Sequence, residues 1–134
     1  MTDYTLIFDG GSLGNPGPGY GSYVLIRNVD GARRMERLDF GEEMTNNEAE
    51  YRTLIAGLQD IVSTIERAGH DPSAFSIEVR GDSRLILNQV AGDWKVRQAH
   101  LRPLCDRARE LLHRFGEFQL TWQERAESVD TLGH

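Results

Sequence analysis

Thr45-Asn46-Asn47-Glu48-Ala49-Glu50-Tyr51-Arg52-Thr53-Leu54-Ile55-Ala56-Gly57-Leu58, running on through Ile61, Val62 and Ile65 to Gly69, carries the fold. Tyr51, Leu54, Ile55, Leu58, Ile61, Val62 and Ile65 recur at helical spacing. The Thr45-Asn46 pair supplies a helix start and Gly69 stands where a helix ends. Upstream, Tyr4 to Phe8 is an apolar run of strand length, stopped by Asp9-Gly10-Gly11. Six glycines between Gly10 and Gly21, with Pro16 and Pro18, predict no regular structure until about Gly19. Tyr20 to Arg27 reads as a second strand, Asn28-Val29-Asp30-Gly31 as a tight turn, and Arg33 to Phe40 as a third, weaker strand.

Downstream of the long helix, Phe75, Ile77 and Val79 alternate with polar residues, giving a strand that ends at Gly81-Asp82. A short helix from Ser83 to about Val90 follows, ended by Gly92. Leu101 to Phe115 is amphipathic, with Pro103 tolerated in its first turn. Phe118, Leu120 and Trp122 alternate as a fifth strand, and the last dozen residues begin a further short helix. The order is βββαβααβ plus a short C-terminal helix. A hairpin meander that crosses through a helix into another strand predicts an α/β fold with a mixed five-stranded sheet flanked by helices.

The chain has 134 residues, room for one hydrophobic core, so residues 1–134 are expected to form a single domain. No apolar run reaches membrane-helix length, and Met1-Thr2-Asp3-Tyr4 lacks the features of a secretory signal. The lone Cys105 excludes an internal disulfide framework, so the cytoplasm is the expected compartment. The formal net charge of −6 speaks against nonspecific adhesion to nucleic acid. It is uneven, however. Glu36 to Asp60 holds seven acids against two bases, whereas Arg80 to Arg114 holds eight bases against four acids. Lys95 is the only lysine, and the arginine fork suits phosphate.

Asp9 and Asp82 each stand just past a predicted strand. If those strands are parallel neighbours joined by the long helix, both carboxylates emerge at one sheet edge, where open α/β sheets place their sites. The helix adds Glu48 and Glu50, about 200° apart at about 100° per residue. Only one can face Asp9; periodicity does not choose, and the other is a solvated helix acid. Clustered carboxylates either take up protons or bind a hard cation, and oxygen ligands favour Mg²⁺ or Mn²⁺. None of His70, His100, His113 and His134 has zinc-ligand spacing.

Four motifs together resemble type 1 ribonuclease H in its compact form, without a basic protrusion. Asp9-Gly10-Gly11-Ser12-Leu13-Gly14-Asn15-Pro16-Gly17-Pro18-Gly19-Tyr20-Gly21 is similar to the family's opening motif. Thr45-Asn46-Asn47-Glu48-Ala49-Glu50 resembles its Thr-Asn-Asn-x-x-Glu helix start, and Gly81-Asp82-Ser83 its second Asp-Ser motif. Val129-Asp130-Thr131-Leu132 resembles the context of its last aspartate. The motifs come in the family's order and span residues 4 to 132.

The resemblance implies a ribonuclease H-like fold and hydrolysis of the RNA strand of RNA–DNA hybrids, leaving 5′-phosphate and 3′-hydroxyl ends. It selects Glu50 over Glu48. It implies a catalytic and metal-binding quartet of Asp9, Glu50, Asp82 and Asp130 holding two Mg²⁺ ions, with Mn²⁺ as a substitute. Gly14, Asn15 and Asn47 match positions that contact the RNA strand, and Thr45 and Asn46 positions at the DNA-strand phosphate. Asn46 and Asn47 can also cap the helix. Trp94 and Lys95 sit where relatives hold the DNA strand, although Trp94 serves equally well as core.

Two departures stand out. Arg84 replaces the amide usual two residues after the second aspartate, and arginine donates but cannot accept. Gln123 to Ser128 contains no histidine where larger relatives carry one. The same residues also fit a hybrid-binding domain impaired in turnover, or a two-metal nuclease or phosphatase acting on another substrate.

Overall fold

Residues Tyr4–Ser12 (β1), Gly17–Arg27 (β2) and Ala32–Met44 (β3) form an antiparallel meander in the computed structural model, which describes residues 1–124 and Leu132. The turn between β2 and β3 closes with Gly31 at φ 72° and its N–H donating to the Arg27 carbonyl at 2.8 Å. The long helix Asn46–Arg67 (α1) crosses over to strand Ser76–Gly81 (β4), which pairs parallel with β1. Helices Arg84–Ala91 (α2) and Arg102–Leu112 (α3) lead to Glu117–Trp122 (β5), parallel to β4. The sheet order is β3-β2-β1-β4-β5, the mixed five-stranded α/β arrangement expected from the sequence.

The glycine-rich opening departs from expectation. β1 runs on through Asp9, Gly10, Gly11 and Ser12, and β2 already begins at Gly17, so Asp9 lies inside a strand opposite Ser22. Glycine is a poor strand former on its own, but here side chains would not fit. A Cβ on Gly10 would lie 2.6 Å from the Ala49 carbonyl oxygen, and one on Gly21 1.9 Å from Thr53 Oγ1. Close packing of α1 on this end of the sheet demands glycine and overrides its low propensity. β3 also outruns its expected length, reaching Met44, which is buried.

α1 covers one face of the sheet. Leu54, Leu58, Ile61 and Ile65 pack with Leu6, Phe8, Tyr23, Leu25, Ile77 and Val79, and α2 and α3 complete this core through Ile86, Leu101, Ala108 and Leu112. Each fully buried leucine or isoleucine contributes about 1.5–3 kcal/mol. Strand alternation sends Ile7 and Val24 to the opposite face, where fully buried Leu132 packs on them with Ile26 at the margin. The short C-terminal helix expected from the sequence otherwise falls outside the described residues. Among those described, no helix is long and apolar enough to cross a membrane.

Candidate active site

Parallel pairing of β1 with β4 runs from Tyr4 opposite Ile77 to Ile7 opposite Arg80 and stops there. Asp9, two residues beyond that last pair, and Asp82, just after β4, therefore share the carboxyl-end edge of these two strands. Asp9 is only 3% exposed and held by the β1–β2 ladder. Glu50 enters from one turn inside α1. Its helix starts at Thr45, whose hydroxyl accepts from the Glu48 N–H at 3.2 Å while Glu48 Oε1 accepts from the Thr45 N–H at 3.3 Å. This reciprocal cap satisfies two helix-end donors and fixes the rotation of α1. Glu48 is thus a capping residue rather than a solvated acid, and the Thr45-x-x-Glu48 spacing is the signal that reveals it.

The three side chains meet. One carboxylate oxygen each from Asp9, Glu50 and Asp82 lies within 4.8 Å of the others, the only such cluster of potential metal ligands among the described residues. All three donors are carboxylate oxygens and one is buried, a set that suits a hard divalent cation and disfavours zinc or copper. Asp130, expected as the fourth member, lies outside the described residues.

Loop and helix start are laced together beside this cluster. Asn46 Oδ1 accepts from the Ser12 N–H at 2.9 Å and lies equally close to the Ser12 hydroxyl oxygen, and Asn15 Oδ1 accepts from the Asn46 N–H at 3.2 Å. Gly14, at φ 90°, turns the loop and its carbonyl accepts from the Ser12 hydroxyl. The amide oxygens of Asn15 and Asn46 are therefore engaged within the protein, so what each side chain can offer a ligand is its NH₂ donor.

A cavity of about 620 Å³ opens beside the α1 start, lined by Asn47, Leu85, Gln89, Trp94, Lys95 and Leu101 among others. Trp94 is 48% exposed, which sets it in the cavity wall rather than the core. Its loop is fixed by the Asp93 and Trp94 N–H groups donating to the Asn88 carbonyl at 2.9 and 3.1 Å, after Gly92 ends α2 at φ 88°. Behind it, the buried Tyr51 hydroxyl donates to Gln89 Oε1 at 2.6 Å, and burial holds the Tyr51 phenol well above its ordinary range, with Cys105 adding to the rise.

Arg84 opens α2, capped by Ser83, whose hydroxyl accepts from the Ile86 N–H at 3.2 Å. Its guanidinium lies 4.1 Å from the centroid of the Trp122 ring. Trp122 in turn donates its indole N–H to the Asp82 carbonyl at 3.1 Å. The sequence marked Trp122 only as a strand residue; no local pattern connects it with Asp82, forty positions away.

The sheet order, the crossover helix and the acid cluster at the β1–β4 edge define a ribonuclease H-like fold. Residues 7–130 match the family described as reverse transcriptase-like. A ribonuclease HI from Halobacterium salinarum is 40% identical over 129 residues, 95% of this chain and 60% of that protein. The solved N-terminal RNase H domain of a Mycobacterium tuberculosis protein, fused to maltose binding protein, is 33% identical with a TM-score of 0.82, over 96% of this chain and 94% of that one. LC11-RNase H1, solved in complex with an RNA/DNA hybrid, is 26% identical with a TM-score of 0.78, over 96% and 92% of the two chains. The chain belongs to the type 1 ribonuclease H family. It spans 60% of the Halobacterium relative and 31% of a Mycobacterium bovis protein to which it is 38% identical.

Proposed function

We propose that this chain is a metal-dependent endonuclease that hydrolyses the RNA strand of RNA–DNA hybrids, leaving 5′-phosphate and 3′-hydroxyl ends. The convergence of Asp9, Glu50 and Asp82 from three separate elements carries this reading. Asp9, Glu50 and Asp82 would hold the cations, with Asp130 as the fourth ligand; Asp130 precedes by two positions Leu132, which is anchored on the same sheet face as Ile7. When bound, a pair of Mg²⁺ ions supplies Lewis-acid stabilisation of the attacking and leaving oxygens of an in-line displacement at phosphorus. Mn²⁺ substitutes, being equally suited to oxygen donors.

The chain's own groups choose and orient the substrate. The RNA strand is marked by its 2′-hydroxyl, and Gly14, Asn15 and Asn47, from the glycine-rich loop and the α1 start, are the groups that meet it in this reading. Glu50 accepts from a 2′-hydroxyl at the cleaved position. Thr45 and Asn46 hold a DNA-strand phosphate at the α1 start, where helix-end N–H groups favour an anion. Trp94 and Lys95 take the DNA strand along the cavity, the ring packing on sugar and base and the ammonium on phosphate. Residues 1–134 act as one catalytic unit, a cytoplasmic monomer, with modest and salt-sensitive affinity for the hybrid.

The test uses end-labelled RNA in a hybrid, with Mg²⁺ or with EDTA, beside single-stranded RNA, double-stranded RNA and DNA. Metal-dependent cutting of the hybrid alone, lost in Asp9→Asn and Asp82→Asn, is the expected outcome. Binding without cutting would replace the reading with a hybrid-binding domain. Hydrolysis of a phosphomonoester or of another nucleic acid instead would replace it with a different two-metal hydrolase.

A further inference from the structure

We propose that Trp122 is a positioning residue that fixes the Arg84 guanidinium at the rim of the acid cluster, as a contact for a backbone phosphate of the RNA strand. The inference rests on the hybrid-hydrolase reading and adds to it a residue pair acting on substrate.

Three observations carry it. The indole N–H of Trp122 donates to the Asp82 carbonyl at 3.1 Å, so the end of β5 is tied to the residue that brings a carboxylate into the cluster. The Arg84 guanidinium lies over the same indole, 4.1 Å from its centroid. Trp122 is 40% exposed, so this stack sits at the protein surface, where substrate can reach it.

The way the charge is held matters. Arg80 and Arg34 are engaged edge-on by Glu78 and Asp60, which uses their in-plane N–H groups and offsets their charge. Stacking instead occupies the face of the guanidinium. Such a contact does not itself use the in-plane N–H groups, so the fork that binds phosphate bidentately is kept for a ligand. A surface arginine otherwise gives up considerable rotamer entropy on binding; the indole face removes part of that freedom in advance. Because Arg84 is only two residues from Asp82, the phosphate it meets belongs to the strand held at the cluster, which is the RNA strand. A permanent donor also explains how this position works without an amide: it reads the phosphate rather than accepting from the 2′-hydroxyl.

The test measures hybrid affinity in EDTA between 50 and 200 mM KCl, by anisotropy of a labelled hybrid, for wild type, Arg84→Gln, Trp122→Leu, Trp122→Phe and the Arg84→Gln/Trp122→Leu double variant. One lost phosphate contact lowers the slope of log affinity against log salt by about 0.9. Arg84→Gln and Trp122→Leu are each expected to lose about that much. The double variant should lose no more than either single one, and Trp122→Phe, which keeps a ring face, should retain most of the wild-type slope. A role for Trp122 in stability alone would not alter the salt slope of folded protein. If circular dichroism shows Trp122→Leu unfolded, Trp122→Met keeps the bulk without the aromatic face and serves instead. An unchanged slope in Arg84→Gln overturns the phosphate contact. A lowered slope in Arg84→Gln with an unchanged one in Trp122→Leu or Trp122→Met overturns the positioning role. Wild type that cuts the hybrid in Mg²⁺ while these variants keep its slope leaves the hydrolase reading standing; wild type that neither binds nor cuts it removes both.

Discussion

Gly10 lies against Ala49 so closely that a Cβ added to it would be 2.6 Å from the Ala49 carbonyl oxygen and 2.8 Å from the Glu50 nitrogen. The neighbours of this contact in sequence are Asp9 and Glu50. The closest approach of strand to helix therefore sets how near the two carboxylates come. Gly10→Ala must push α1 off β1 and is expected to destabilise the fold by about 3 kcal/mol. It should also weaken metal binding, because the cluster opens. Urea denaturation and Mg²⁺ titration calorimetry measure the two effects, and a stable variant with unchanged metal affinity contradicts the argument.

Carboxylate oxygens within 4.8 Å of one another suit a shared divalent cation. Asp9→Asn, which removes one charge and keeps the shape, is expected to gain less stability from Mg²⁺ than wild type does. A ligand at ten times its Kd stabilises wild type by about 1.4 kcal/mol, and the variant loses most of that gain. Thermal melts with and without the metal give both numbers.

Glu78 provides the acid limb of stability. Burial raises its pKa, but the Thr121 hydroxyl donating at 2.7 Å and the Arg80 guanidinium at 2.9 Å outweigh burial and hold it below the ordinary glutamate range. A carboxyl depressed in the folded state contributes stability above its unfolded pKa, about 4.3, and loses it as pH falls through the lower folded value. Wild type should therefore lose stability more steeply than Glu78→Gln below about pH 4.5. Urea midpoints from pH 6 to pH 3 report this, and parallel curves for the two proteins would contradict it.

Trp94 stands in the cavity wall, 48% exposed, and its truncation removes little core. Trp94→Ala is expected to change stability by less than about 0.5 kcal/mol, as surface substitutions do. Hybrid affinity should fall about tenfold, since stacking of a base or sugar on an aromatic ring is worth about 1–3 kcal/mol. Comparing denaturation with hybrid anisotropy separates the two effects.

Much of this was legible in sequence because it is written locally. The seven apolar positions of α1, its start at Thr45, the Gly31 turn and the Gly69 and Gly92 terminators each act within a few residues of themselves. The shared edge of Asp9 and Asp82 followed from one topological step, the crossover through α1. What was not legible depends on contacts between distant segments. β1 continues through Gly10 and Gly11 because α1 and Tyr20 leave no space for side chains, a fact absent from the strand's own composition. The Trp122 contact with Asp82 depends on β5 ending in register with β4, Trp122 opposite Gly81. Even the choice between Glu48 and Glu50, undecided by periodicity, has a local answer in hindsight: the capping box takes Glu48 and leaves Glu50 to the site.

Leu132 is fully buried on Ile7 and Val24, across the sheet from α1. Ile7 is two residues before Asp9 on β1, and Val24 is opposite it on β2. The contact anchors Leu132 on the sheet face that Asp9 shares, and Asp130 precedes Leu132 by two positions in the sequence. Leu132→Ala is expected to cost about 2–4 kcal/mol through the cavity it leaves. If the anchor also serves Asp130, cleavage should fall further than the unfolded fraction accounts for. Metal affinity should fall with it, while affinity for the hybrid in EDTA stays near wild type. Leu132→Met, which conserves volume, should restore stability and metal binding together. Restored stability without restored metal affinity would show that packing on Ile7 and Val24 is separate from the site.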